Sequence, residues 1–119
     1  MSEQRSSREL RVMVLGSDSL GRGDHELGVL HLENLLRAFA FRDDIPDVIV
    51  CYNSGATLAG EDSPVLHVME VFDQKGVDIL VCRTAAGHYK LDGRLAVGRM
   101  VDMHEVADVL SRASRIIYA

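Results

Sequence analysis

The sequence predicts an α/β fold with a mostly parallel sheet of five strands and helices on both faces. Short, nearly continuous apolar runs alternate with longer segments in which apolar residues recur at helical spacing. This alternation is typical of βαβ units. The runs are apolar on successive residues, as expected for parallel strands that are covered on both faces. At 119 residues, the chain is long enough to bury the core of one such domain.

The first half of the chain predicts two strands with a helix between them. Leu10–Leu15 is a short, partly β-branched run that ends at Gly16. Asp24 is suited to cap the next helix, over residues 25–41, in which apolar side chains form a stripe. The second strand covers residues 48–52, an almost unbroken apolar run.

The second half continues the alternation. Ser63 followed by Pro64 combines a capping side chain with a first-turn proline, which predicts a helix start, and Gly76 ends that helix. The pattern is irregular for about a dozen residues after Cys82. The other elements predicted here are a third strand at residues 77–81, a fourth in the latter half of residues 95–101, a helix capped by Asp102, and a fifth strand at residues 115–118.

Composition limits the classes of function and location. We expect residues 1–9 to be a frayed tail, because they offer little to bury, and residues 10–119 to form one domain. A formal net charge of −5 provides no basic surface for nucleic acid or an anionic membrane. No apolar run approaches the roughly 20 residues of a membrane span, and the N-terminus lacks a signal-peptide pattern. A cytoplasmic protein is therefore expected.

The loops after the first three strands are the expected location of a site, because ligands bind beyond the carboxyl ends of parallel strands. The first of these loops is glycine-rich, and Gly16 and Gly21 have P-loop spacing. However, Arg22 and Gly23 stand where a P-loop needs lysine and Ser/Thr, so nucleotide hydrolysis is disfavoured. A turn with only a structural role and a small-anion site at the following helix start both remain open.

Cys82 is the leading candidate for chemistry. A thiol at the start of a helical turn is acidified by the backbone N–H groups, and Arg83 or a protonated His88 would strengthen this effect. A thiolate in that position can carry persulfide sulfur. The alternative is a small inert residue that closes a buried strand. Cys51, inside the second strand, is interpreted as a packing residue, and a disulfide between the two cysteines is not expected in a reducing compartment.

The other candidate residues surround Cys82 on the same edge of the sheet. They are predicted to shape a pocket and to supply backbone donors to an anionic sulfur. Those in the loops after the first and second strands are Ser17, Asp18, Gly21, Gly23, Asp24, Asn53, Ser54 and Gly55; those after the third are Arg83, Thr84, His88 and Tyr89. The five histidines show no metal-ligand spacing, so no bound metal is expected. No other cofactor is expected either.

Several of these segments together resemble the DsrE/DsrF-like family. The segments are the loop at residues 17–28, Asn53-Ser54-Gly55, residues 63–66, residues 76–82 and residues 95–98. The likeness extends over residues 10–119 and is greatest to the DsrE-like domain of the selenium-metabolism, sulfurtransferase-like branch. It implies a three-layer α/β/α sandwich with a five-stranded parallel sheet, commonly in homo-oligomers, and a role in sulfur or selenium transfer through cysteine.

Two departures from that branch limit the chemistry. Its members usually carry an N-terminal sulfur-carrier domain, and here only a short polar segment precedes the first strand. They also tend to have a C-x-x-C pair at the end of the third strand, where this chain has Cys82 but Ala85 in the second position. A single persulfide can still be carried, whereas an intramolecular dithiol cycle cannot operate.

The leading hypothesis is a sulfur-relay protein that holds persulfide, or a selenium species, on Cys82 and exchanges it with a partner such as a separate sulfur-carrier protein. The alternative is a non-catalytic oligomeric binding or regulatory module of the same fold that has lost transfer chemistry. Whether the protein is an enzyme, a transferase of sulfur, depends on which of these is right. A phosphate or nucleotide binder that uses the first loop is a third hypothesis.

Overall fold

Residues 10–119, the part of the chain that the computed structural model describes, form five strands, four α-helices and one 3₁₀ helix. The expected tail at residues 1–9 lies outside the described residues. The strands are β1 Leu10–Leu15, β2 Val48–Cys51, β3 Asp78–Cys82, β4 Arg99–Val101 and β5 Ala113–Tyr118. The α-helices are α1 His25–Ala40, α2 Leu66–Gln74, α3 Arg83–His88 and α4 Met103–Arg112, and the 3₁₀ helix is Asn53–Ala59.

The five strands form one parallel sheet in the order β4-β3-β2-β1-β5, which confirms the predicted fold class. The chain moves outward in one direction from β1 to β4 and then returns to the far side of β1. Because parallel crossovers are right-handed, the first three connections lie on one face and the last lies on the other. All carboxyl ends of the strands therefore meet at one edge.

The face that carries α1, α2, α3 and the 3₁₀ helix contains the larger core. Its largest fully buried side chains come from the sheet and from two helices: Met13, Leu15 and Ile49 from the sheet, Leu32 and Leu36 from α1, and Met69 and Phe72 from α2. Small residues of the 3₁₀ helix and α3 complete this core near the carboxyl edge. The shortness of those side chains lets both segments lie close to the strand ends.

Among the elements of residues 10–119, α4 alone covers the second face. Val106 and Val109 of α4 pack on the valines and leucine that β1 to β4 present to that side. The edge strand β5 extends beyond this cover, and Tyr118 remains 67% exposed there. Helices thus lie on both faces, as predicted, but the layers are unequal.

Three local predictions differ from the structure. The second helix begins at Leu66, because Ser63 and Pro64 form a separate turn in which the Val65 N–H donates to Ser63 Oγ at 3.2 Å. The predicted loop after β2 is a 3₁₀ helix. The irregular stretch after Cys82 contains α3, whose six residues are too few to show a repeated apolar spacing.

The predicted aspartate caps are present. Asp24 Oδ2 accepts the Leu27 N–H at 2.8 Å, and Asp102 Oδ1 accepts the Glu105 N–H at 3.0 Å. Each carboxylate thereby satisfies an N–H that has no partner within the helix. Across residues 10–119, none of the helices has the length and apolar character needed to cross a membrane.

Candidate functional site

A cleft of about 580 Å³ opens at the carboxyl edge of the sheet, beside the ends of β2 and β3. Its walls combine residues from the second loop, from α3 and from the start of α4. The lining residues are Tyr52, Asn53, Cys82, Thr84, Ala85, His88, Tyr89 and Met103.

The sheet register places Tyr52 and Cys82 side by side. Cys51 of β2 pairs with Val81 of β3, and the next residue on each strand is a cleft residue. The Tyr52 N–H donates to the Leu15 carbonyl oxygen at 3.2 Å, which continues the ladder toward β1. A Cβ at Gly16 would lie 3.1 Å from Tyr52 Cε1, so the tyrosine ring occupies the space that a side chain there would need.

Cys82 is the last residue of β3 and the N-cap of α3. Its backbone is extended, with φ −59° and ψ 124°, and the chain turns directly into the helix. Only 4% of the residue is exposed, although it lines the cleft. Cys82 thus borders the cleft while most of its surface is buried in the core.

α3 contributes one of its faces to the cleft. Thr84 and His88 are four residues apart, as are Ala85 and Tyr89, and residues with this spacing lie above one another on a helix. The rings of His88 and Tyr89 pack edge to face, with centroids 4.8 Å apart and planes at 85°. This contact restrains both rings at the wall of the cleft.

Asn53 forms the turn from β2 into the 3₁₀ helix. Its φ of 52° lies in the left-handed region, which asparagine tolerates better than most residues. The following Ser54 accepts the Asp18 N–H on its Oγ at 3.1 Å. The second loop is therefore held between the cleft and the first loop.

Met103 lines the cleft from α4, the helix that packs on the other face of the sheet. It is the first residue of α4, and 52% of it is exposed. The start of α4 is held by Arg99, whose guanidinium lies 3.1 Å from Asp78 Oδ2 and 2.8 Å from Glu105 Oε2. These two carboxylates raise the pKa of Arg99 above its ordinary value by hydrogen bonding and charge.

The first-loop candidates lie outside the lining of the cleft. Gly21 and Gly23 are exposed, with φ of 78° and 127°, and Asp24 is engaged as the cap of α1. The Ser17 hydroxyl accepts the Ser19 N–H at 3.2 Å, and Asp18 contributes its backbone N–H to the second loop. In this structure the first loop supports the second rather than forming a wall of the cleft.

Two candidates from the other loops also lie outside the lining. Ser54 and Gly55 face the first loop and the end of β1, where a Cβ on Gly55 would collide with the Leu15 carbonyl. Arg83 is exposed at the start of α3. Of the predicted residues, the structure brings Asn53, Thr84, His88 and Tyr89 together with Cys82 around one cleft.

Sequence reasoning did not select three residues of the lining. Tyr52 was interpreted as the end of a strand, Ala85 as a missing cysteine, and Met103 as part of the last helix. Tyr52 and Met103 follow β2 and β4, so the rule on carboxyl ends of parallel strands places both at this edge of the sheet, but it does not say which residues there line a cleft with Cys82. In the described part of the chain, residues 10–119, His, Cys, Asp and Glu form no group of three that could hold a metal ion.

Cys51 is fully buried, which agrees with its interpretation as a packing residue. Burial raises the pKa of its thiol from 9.0 to about 12, because the interior disfavours the thiolate. Both cysteines are free thiols. The structure therefore separates a cysteine enclosed in the core from one that borders a cleft.

The Cys51 thiol should make the folded protein sensitive to alkali. Between pH 9 and 12 the folded state keeps a proton that the unfolded state releases, so stability falls as pH rises. Between pH 8 and pH 10.5, we expect the free energy of unfolding of the wild type to fall by about 2 kcal/mol more than that of Cys51→Ala. Urea unfolding of both proteins at the two pH values measures this difference. Equal losses in the two proteins would contradict the assignment of the effect to Cys51.

Comparison with known proteins supports the fold but no sequence family. No protein-family model matches the chain, and no curated protein matches its sequence. Among solved structures, the chain is similar to the crystal structure of the YchN protein from E. coli, with a TM-score of 0.70 and 13% sequence identity. The match covers 93% of this chain and 99% of that chain. At this identity the similarity establishes the α/β fold alone.

Proposed function

We propose that the protein is a sulfur-relay protein of the DsrE/DsrF-like kind, which carries persulfide on Cys82 and passes it to a partner. The observation that carries this proposal is the position of Cys82, at the end of β3, in the lining of a cleft beside the carboxyl ends of the strands. The cleft gives a donor access to Cys82 while the surrounding residues limit contact with bulk water. The fold shared with the YchN structure is compatible with this role.

Loading requires only the exchange of a sulfur–sulfur bond. The Cys82 thiolate attacks the outer sulfur of a donor persulfide, a new S–S bond forms on Cys82, and the donor's own S–S bond breaks. The donor leaves as a thiolate and takes up a proton. In unloading, an acceptor thiolate attacks the outer sulfur, and Cys82 leaves as the thiolate again. A selenium species would be carried in the same way.

Residues of the cleft have defined roles in this proposal. Cys82, at the end of β3 and directly before α3, carries the transferred sulfur. Asn53 and Thr84 supply polar groups at the mouth, and His88 is a proton donor to the departing thiolate. Ala85 offers no second thiol, so the acceptor must enter from another molecule.

The partners are a separate sulfur-carrier protein and further copies of this chain. The resemblance to the DsrE/DsrF-like family implies homo-oligomers. The exposed side chains of Ile116 and Tyr118 on the edge strand β5 support an interface on the face that α4 leaves partly open.

Incubation with a small-molecule persulfide, followed by mass spectrometry of the intact and digested protein, tests the relay. We expect one added sulfur atom on Cys82, loss of that sulfur to an acceptor thiol, and no modification of Cys82→Ser. Cys51→Ala is the matched control, and we expect it to load as the wild type does. If Cys82 stays unmodified, or if transfer is undiminished in Cys82→Ser, the protein is not a relay. The non-catalytic module of the same fold would then be the better account.

A further inference from the structure

We propose that the cleft selects small-molecule sulfur donors whose body is uncharged and largely apolar. This inference rests on the proposed function and adds the substrate class to it. It is carried by the size of the cleft and by the chemical nature of its lining, which neither the resemblance nor the structural comparison specifies.

The cleft is larger than the sulfur chemistry alone requires. Its volume of about 580 Å³ lies within the range of ~300–1,000 Å³ that is typical of pockets for small organic ligands. A terminal persulfide sulfur would fill only a small part of it. Most of the cleft is therefore available to the molecule that bears the sulfur.

The lining is poor in charge. Tyr52, Tyr89, Met103 and Ala85 present rings, a thioether and a methyl group, while Asn53 and Thr84 are polar but uncharged. Among the lining residues that the structure describes, His88 is basic and none is a lysine or arginine. An anionic donor such as a tripeptide persulfide would bring carboxylates to this lining, in a chain of net charge −5.

The walls favour a flat or compact apolar body. Tyr52 follows the neighbouring strand β2 and stands beside Cys82, and Tyr89 is restrained by its edge-to-face contact with His88. Met103 is flexible and half exposed, so it can adapt to a ligand at the mouth. An aromatic or aliphatic group held among these side chains would place its sulfur near Cys82.

The charge preference can be measured with two aromatic disulfides that report thiol exchange by absorbance. The probes are 2,2′-dithiodipyridine, which is neutral, and 5,5′-dithiobis(2-nitrobenzoate), which is anionic. In each reaction the Cys82 thiolate forms a mixed disulfide and one aryl thiolate leaves. Rates are measured in Cys51→Ala protein and divided by those of free cysteine. We expect the rate of exchange to saturate as the concentration of the neutral probe rises. We also expect the normalised rate with the neutral probe to be at least about tenfold above that with the anionic probe.

Two charge variants separate the lining from long-range electrostatics. Met103→Lys places a cation inside the cleft, whereas His104→Lys places the same residue one position further along α4, at an exposed site outside the lining. We expect Met103→Lys to lower the preference for the neutral probe about tenfold and His104→Lys to leave it nearly unchanged. Neither change removes a buried side chain, so both variants should fold.

The results of these measurements separate the selectivity of the cleft from the ability of Cys82 to transfer persulfide. Equal normalised rates for the two probes, or equal effects of the two lysine variants, would overturn the proposed selectivity while persulfide transfer could still occur. Saturable, charge-selective exchange without any persulfide transfer would overturn the relay and leave a binding cleft for small apolar thiols and disulfides.

Discussion

Replacing Gly55 with alanine should destabilise the protein by about 3 kcal/mol or more. Gly55 lies in the 3₁₀ helix, where a Cβ would collide with the Leu15 carbonyl and lie 3.1 Å from the backbone nitrogen of Ser17. Both obstacles are backbone atoms, one at the end of β1 and one in the first loop, so no flexible side chain can move aside. Urea unfolding measures this decrease in the free energy of unfolding. The substitution should also lower the melting temperature by roughly 10 °C or more.

Gly87→Ala is the matched control for this prediction. Gly87 lies in α3, and a Cβ there would meet nothing within 4 Å. Alanine is the better helix former by roughly 0.5–1 kcal/mol, so this variant should be as stable as the wild type or slightly more stable. A Gly55→Ala protein with wild-type stability would show that the 3₁₀ helix does not approach β1 as closely as described.

The Gly55 variant should also damage the cleft. Displacing the 3₁₀ helix from β1 would move Asn53 and weaken the hydrogen bond from the Asp18 N–H to Ser54. We therefore expect the exchange rate of folded Gly55→Ala to saturate at a higher concentration of 2,2′-dithiodipyridine than the exchange rate of Gly87→Ala does. The first loop would thus influence the site through the second loop, without lining it.

Replacing Gly98 with alanine should destabilise the protein by roughly 3 kcal/mol, for two separate reasons. Its φ of 80° lies in the left-handed region, where a Cβ is strained. In addition, the new Cβ would lie 2.7 Å from the Ile79 carbonyl oxygen and 2.9 Å from Ile79 Cγ2. Gly98 immediately precedes β4, so the variant should also loosen the three-residue edge strand.

Gly93→Ala separates the two contributions. Gly93 has a similar φ of 72°, but a Cβ there would meet nothing within 4 Å. It should therefore show only the conformational strain, about 1–2 kcal/mol. The difference between the two variants in urea unfolding gives the cost of the collision with Ile79. Equal decreases in the free energy of unfolding would mean that β3 moves away from the added methyl group without loss of stability.

The order and type of most elements were predictable because their signals are local. The apolar runs of β1 and β2 and the stripe of α1 can be recognised within a few residues, and the caps at Asp24 and Asp102 depend on single side chains. Elements that are short or stabilised by packing were less predictable. α3 and the 3₁₀ helix carry few large apolar residues, and tertiary contacts with the strand ends stabilise them.

In the candidate site, too, some features had local sequence signals and others depended on tertiary packing. Cys82 was recognised as the end of a strand, and the parallel topology predicted that the three loops would lie at one edge. The sequence could not show that the first loop is held behind the second by the contact between Asp18 and Ser54. It also could not show that Met103 reaches the cleft, because α4 packs on the opposite face of the sheet from α3.

The amino-acid sequence by itself determined an α/β chain with parallel strands and a cysteine at the end of β3, because these properties follow from hydrophobic pattern and chain direction. Only the tertiary structure decided which side chains surround that cysteine. Strand register places Tyr52 beside Cys82, and the crossing of α4 to the second face brings Met103 to the mouth of the cleft. Both depend on packing between segments that are distant in sequence, which local pattern does not encode.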